Sequence, residues 1–215
     1  MFEASGAEDR LMKRQPLVKA ALLFSRCLAG LFAVSVILGC GSPLEFTADS
    51  QVVAKIHSIA VLPMVDAPGA EGGYSGKTVA GILSQKLMNL RDVTVVERER
   101  LHAIIMEQEL QASDLADSAT ATRVGRLLGA DTVTAGSVTQ YDSSSVPIFL
   151  GLVTHYVEVY TVGVSIRFIR VDTGEVCFSA HCSQTGSSYQ EAASKCTDLV
   201  VSATATCRKK TAADR

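Results

Sequence analysis

Apolar and polar positions change period several times between residues 56 and 207, and each change predicts an element. "IHSIAVLPMV" (56–65) is rich in β-branched residues and reads as a strand that ends near Pro63. "DAPGAEGGYSG" (66–76) is a Gly/Pro loop. From Lys77, Val79, Ile82, Leu83, Leu87 and Leu90 recur at helical spacing, so one face of that helix is buried. "DVTVVE" (92–97) predicts a second strand, and 98–111 a helix with Leu101, Ile104 and Ile105 turned inward. Within 113–130, Asp117 or Ser118 suits an N-cap, Val124, Leu127 and Leu128 form the apolar stripe, and Gly129 ends the helix. Residues 131–142 predict a third strand.

The second half has a different rhythm. Val162, Val164, Ile166 and Phe168 alternate with Gly163, Ser165 and Arg167, which is the pattern of a half-buried strand. Asp172-Thr173-Gly174 makes a tight turn, and "EVCFSAHCS" (175–183) puts Val176, Phe178, Ala180 and Cys182 on one face. A last helix over roughly 188–207 aligns Tyr189, Ala192, Ala193, Cys196, Leu199, Val200, Ala203 and Cys207 along one stripe. The fold class is therefore α/β, a compact sheet with flanking helices and a late antiparallel hairpin.

Before the domain lies a leader. From Met12, one of two candidate starts with Met1, come Lys13-Arg14, then an apolar run from Cys27 to Leu38, then Gly39. That order is a secretory signal, and the run is short of the ~20 apolar residues of a bilayer span. A retained signal anchor over 17–38 would bury Lys19 and Arg26, at about 2.5–3.5 kcal/mol each near a helix centre. Ile37-Leu38-Gly39-Cys40 resembles the lipobox of bacterial lipoproteins, which implies cleavage before Cys40 and its acylation, with palmitate among the acyl groups. Several acyl chains at ~0.8 kcal/mol per buried CH₂ make such an anchor effectively permanent. Gly41 in place of Asp resembles the outer-membrane sorting default. Residues 1–39 are thus read as signal peptide, 40–54 as lipidated tether, 55–207 as the α/β domain and 208–215 as a polar tail.

Charge narrows the partners. Five of the 20 basic and three of the 22 acidic residues precede residue 40, which leaves the mature chain at net −4. Without a basic stripe interleaved with aromatics, nucleic acid is excluded as a partner. Catalytic chemistry finds little footing. His57, His102, His155 and His181 lie in four different elements. Cys177, His181 and Cys182 come nearest to a metal-ligand cluster, yet strand geometry points the two cysteines to opposite faces. "GGYSGKT" (72–78) lacks the first glycine of a phosphate loop, since residue 71 is Glu71. No metal or cofactor is called for, and the chain is read as a non-enzyme. Four cysteines remain in the mature domain besides Cys40. Cys196 and Cys207 are about 16 Å apart along one helix, so a strand-to-helix bridge such as Cys182 to Cys196 is the geometric option, against small buried thiols filling a core.

Four pieces in order carry a resemblance: Val95-Val96-Glu97-Arg98, Glu107-Gln108-Glu109-Leu110, Leu128-Gly129-Ala130-Asp131 before a Gly-Ser strand, and Asp172-Thr173-Gly174-Glu175. Across roughly 56–205 the chain resembles the curli secretion channel (CsgG) lipoprotein family. The resemblance implies that family's periplasmic domain, a ring of protomers, β-hairpins contributed to an outer-membrane barrel, and a channel-narrowing loop that maps onto 66–75, where Tyr74 is the one aromatic. Residues 143–161 supply one candidate hairpin, with Ile148, Phe149, Leu150, Leu152, Tyr156 and Tyr160 as its membrane or interfacial residues; Pro147 breaks its ladder, and His155 and Glu158 are polar. A second hairpin has no candidate. Glu97 and Arg98 are candidate inter-subunit contacts.

The expected protein is lipid-anchored at the periplasmic face of the outer membrane, a homo-oligomer that serves secretion or envelope assembly with a secreted or envelope protein partner. The rival is a monomeric regulator that binds and activates a peptidoglycan synthase.

Overall fold

The computed structural model describes residues 44–68, 74–151 and 153–213. The signal segment, Cys40 and Leu152 lie outside the described residues.

In chain order the elements are β1 (Glu45–Ala48), α1 (Ser50–Val53), β2 (Ser58–Val61), α2 (Ser75–Leu87), β3 (Thr94–Val95) and α3 (Arg98–Glu107). There follow α4 (Ala112–Leu115), α5 (Ser118–Leu128), β4 (Thr132–Leu150), β5 (Val153–Arg170), β6 (Val176–Gly186) and α6 (Tyr189–Ala213). Six strands form one sheet in the order β1-β6-β5-β4-β2-β3. β2 is parallel to β3 and β4, while β4, β5, β6 and β1 pair antiparallel in succession.

Helices cover both faces. On one face Val79, Leu83 and Leu87 of α2 and Ala192, Cys196 and Val200 of α6 pack on Val162, Val164, Ile166 and Phe168 of β5. On the other, Leu101 of α3, Leu115 of α4 and Val124 and Leu128 of α5 pack on Val133, Ala135 and Ile169. The alternation of β5 is thus what assigns its residues to the first layer. Phe168 and Phe178 are fully buried with ring centroids 4.8 Å apart, and burying each side chain is worth about 1.5–3 kcal/mol.

Local chemistry sets the helix ends. Asp117 caps α5 by accepting from the Thr120 amide at 2.9 Å, and Gly129 ends it in the left-handed region at φ 67°, where a Cβ would be strained. Gly76 is required for a different reason: a Cβ there would lie 2.0 Å from the Met64 carbonyl oxygen, so only glycine lets the start of α2 close onto the end of β2. Asp66 fastens the same junction, accepting from the Ser75 hydroxyl at 2.9 Å and the Gly76 amide at 2.7 Å.

Several expectations are corrected. Residues 45–53 are folded rather than part of a tether: β1 pairs with β6, and Asp49 caps α1 through the Gln51 and Val52 amides. The polar tail is helical to Ala213, where the Arg208 guanidinium donates to the Val53 and Ile56 carbonyls and Thr211 to Ser50. Cys177 and Cys182 do not face apart, because a register shift opposite Phe168 and Ile169 turns Cys177 into the same core as Cys182 and leaves Val176 45% exposed. Leu199 is also exposed on α6. The predicted strand over 92–97 shortens to Thr94–Val95.

Candidate functional site

The longest elements of the sheet are also its most exposed. β4 and β5 stay paired from Thr132 with Arg170 up to Leu150 with Val153, whereas β6 stops at Gly186, which pairs with Tyr160. Residues 143–150 and 153–160 therefore leave the sheet as a two-stranded ribbon roughly 23–25 Å long at ~3.3 Å per residue. Pro147 sits within β4. A proline is tolerated there because β4 has no neighbour on its outer side at that height.

Register divides the ribbon into two faces. A shift between Val138 and Gln140 changes the phase of β4 against β5, after which directly paired residues share a side. One face carries Val146 with Val157, Ile148 beside His155, Val153, and Val159 beside Ser144. The opposite face carries Ser143 with Tyr160, Ser145 with Glu158, Pro147 with Tyr156 and Phe149 with Thr154. Ser145 donates a hydrogen bond to the Glu158 carboxylate across this second face. Phe149 is 76% exposed, Tyr156 66%, Val153 65% and Val146 44%, a concentration of apolar surface that marks an interaction site.

Three tyrosines brace the base. Tyr141 of β4 stacks on Tyr189 at the start of α6, with centroids 4.0 Å apart, and Tyr160 of β5 meets the edge of Tyr189 at 4.8 Å. Burial, and then the neighbouring Tyr189, pushes the Tyr141 phenol up. The ribbon is in this way tied to the domain through side chains as well as the ladder.

Of the predicted hairpin residues, Phe149 and Tyr156 are exposed, Ile148 is half-buried, and Tyr160 belongs to the brace. Leu150 pairs with Val153 at the tip, and Leu152 is outside the described residues. Sequence reasoning missed Val146, Val153, Val157 and Val159. Their signal was present: along 153–160, Val, His, Val and Val alternate with Thr, Tyr, Glu and Tyr. Glu97 is exposed at the N-cap of α3, where no side-chain cap bond forms, and Arg98 is the first residue of that helix. The structure brings neither of them to the ribbon.

A second feature lies at the carboxyl ends of β2 and β3. An open crevice of about 940 Å³ runs between α2 and α3, lined by Pro63, Ile82, Met88, Val96 and Ile105 with Lys77 and His102 at its polar positions. Among the described residues no His, Cys, Asp and Glu side chains gather as a metal site, and no helix is long and apolar enough to cross a membrane.

Residues 64–201 match the family described as curli production assembly/transport component CsgG. No curated protein matches the chain. Among solved structures the chain is similar to the PelC dodecamer from Paraburkholderia phytofirmans, at 18% identity over 77% of this chain and 96% of that one, TM-score 0.48. It is also similar to lipoprotein GNA1162 from Neisseria meningitidis, at 21% identity over 69% of this chain and 95% of that one, TM-score 0.45. The LpoB C-terminal domain from Escherichia coli matches at 19% identity over 63% and 94%, TM-score 0.40.

Proposed function

The chain belongs to the CsgG family of curli production assembly/transport components, and on that premise we propose that it is a lipid-anchored envelope protein acting as an oligomeric secretion or assembly component. Its anchor is Cys40, its compartment the periplasmic face of the outer membrane, and the ribbon of β4 and β5 its contact with the bilayer. Glu97 and Arg98, on the helix side of the domain, are left for contacts between protomers.

One observation carries the reading: the apolar face of the ribbon and the chain's entry into the domain lie at the same end. β1 runs from Glu45, opposite His181, towards Ala48, opposite Phe178, so the chain arrives from the ribbon's side. Glu45 is level with His181, five residues short of Gly186, where the ribbon departs. Five residues from Cys40 to Glu45 span at most ~17 Å, the same height. The projecting length then matches the ~25 Å apolar band of outer-membrane strands.

The full-length protein grown with a labelled fatty acid is expected to carry the label, and to run after detergent extraction as one large assembly by mass photometry. An unlabelled protein removes the anchor. A labelled monomer removes the oligomeric role and favours the regulator of a peptidoglycan synthase.

A further inference from the structure

Beneath α6, two cysteines from distant points of the chain share one buried cluster. Cys182 lies on β6 and Cys196 on α6, both with 0% exposure, and each thiol acts on the proton affinity of the other. A contact fixes the geometry from the other side: the Cys196 thiol donates to the Val162 carbonyl of β5 at 3.3 Å. Val162 pairs with Gln184, and Cys182 with Val164, so Cys196 sits over the strand pair within two residues of Cys182. The remaining thiols are engaged elsewhere. Cys177 donates to the Phe168 carbonyl at 3.5 Å, and Cys207 lies 11 residues beyond Cys196 on the same helix, about 16 Å away at ~1.5 Å per residue.

We propose that Cys182 and Cys196 are a disulfide site, closed as the chain folds, that locks α6 onto β6 at the foot of the projecting ribbon. The reaction is thiol–disulfide exchange with a donor of the disulfide class. While α6 is undocked, either thiolate displaces one sulfur of the donor to give a mixed disulfide, and the other cysteine, on giving up its proton, displaces the second donor sulfur. The pair loses two electrons and two protons, and the donor is reduced to two thiols.

Burial sets the timing. With α6 docked, neither sulfur is open to a donor, so the bond closes before the helix packs and a reduced folded protein stays reduced. The bond would enclose Ser183 to Lys195, a short loop whose closure restricts the unfolded chain. It would also hold the N-terminal half of α6, and with it Tyr189, against the sheet that carries the ribbon.

The test uses the full-length chain in detergent, reduced and unfolded, then refolded with oxidised or with reduced glutathione, and finally unfolded, alkylated and mapped by mass spectrometry. The oxidised sample is expected to yield a linked pair of peptides bearing Cys182 and Cys196, with Cys177 and Cys207 alkylated. Its Tm should exceed that of the reduced sample by roughly 6–12 °C. Folded reduced protein given the same oxidant is expected to gain no linkage. The double variant Cys182→Ala with Cys196→Ala should melt at one temperature in both buffers, and if it does not fold the peptide map still decides. Alkylation of both Cys182 and Cys196 after oxidative refolding, a linkage that joins other cysteines, or a linked pair without a rise in Tm would each overturn the proposal.

Discussion

Ser58 and Asp131 bind each other twice. The Asp131 amide donates to the Ser58 hydroxyl at 2.9 Å, and the Ser58 amide donates to the Asp131 carboxylate at 2.9 Å. The His57 amide adds a third bond to the same carboxylate at 2.8 Å. This clasp sets β4 beside β2 at their first residues, and it explains why an aspartate stands two residues after the glycine that ends α5. Replacing Asp131 by Ala strands two backbone donors and is expected to cost about 2 kcal/mol. Asn, which keeps an acceptor, should cost less than half as much. Urea midpoints would measure both, and an Ala variant within ~0.5 kcal/mol of the parent would show the clasp to be dispensable.

The ribbon separates membrane affinity from stability. Val146 and Val153 lie on its apolar face and contribute nothing to the core, so arginine at either position should leave the unfolding midpoint within ~0.5 kcal/mol. In a bilayer an arginine at Val146, midway along the ribbon, costs ~2–4 kcal/mol near the midplane, and one at Val153, at its end, ~0–1 kcal/mol, so partitioning into phospholipid vesicles should fall by about 30-fold or more for Val146→Arg and by less for Val153→Arg. Ser145→Arg, on the opposite face, is the control and should partition nearly as the parent. Equal loss for all three would mean that the two faces are not distinguished by lipid.

Glu191 makes the start of α6 sensitive to acid. Lys195, at 2.8 Å, and then the hydroxyl and amide of Ser187, at 2.5 and 2.8 Å, hold its carboxyl down to about 2. Because the folded value lies below the unfolded one, the contribution is fully present above the ordinary glutamate range near ~4.3, and it is lost as pH falls from there to about 2. Urea titrations across that window should show a shallower loss of stability in Glu191→Gln than in the parent. Parallel pH profiles would assign the acid sensitivity elsewhere.

How much of this was legible in the sequence depends on whether a signal was local. α5 was, because Asp117 and Gly129 are its own start and stop. β5 was, because its buried face alternates without interruption through Phe168. β1 was not: "EFTA" is four residues with no period, and it becomes a strand only when the exposed edge of β6 is available to pair. The ribbon was half legible. Pro147 argued against a continuous β4, and only the sheet order shows that this stretch has a free edge, where a missing amide costs nothing. Cys177 was misassigned because a bulge adds one residue to the count, and strict alternation cannot register it.

Thr134 tests the core from the inside. It lies on β4 opposite Phe168, is fully buried, and its hydroxyl oxygen has no hydrogen-bond partner among the described residues, although its backbone carbonyl accepts from the Leu62 amide at 3.2 Å. A threonine whose oxygen is buried and unpaired carries a desolvation cost that valine, of nearly the same shape, does not. Thr134→Val is therefore expected to stabilise the domain by up to ~1 kcal/mol. Thr134→Ser keeps the hydroxyl and deletes a buried methyl, so it should destabilise by about 1 kcal/mol. The opposite signs separate the two effects: if Val also destabilises, the hydroxyl is satisfied in solution and the methyl alone accounts for the choice of threonine at this position.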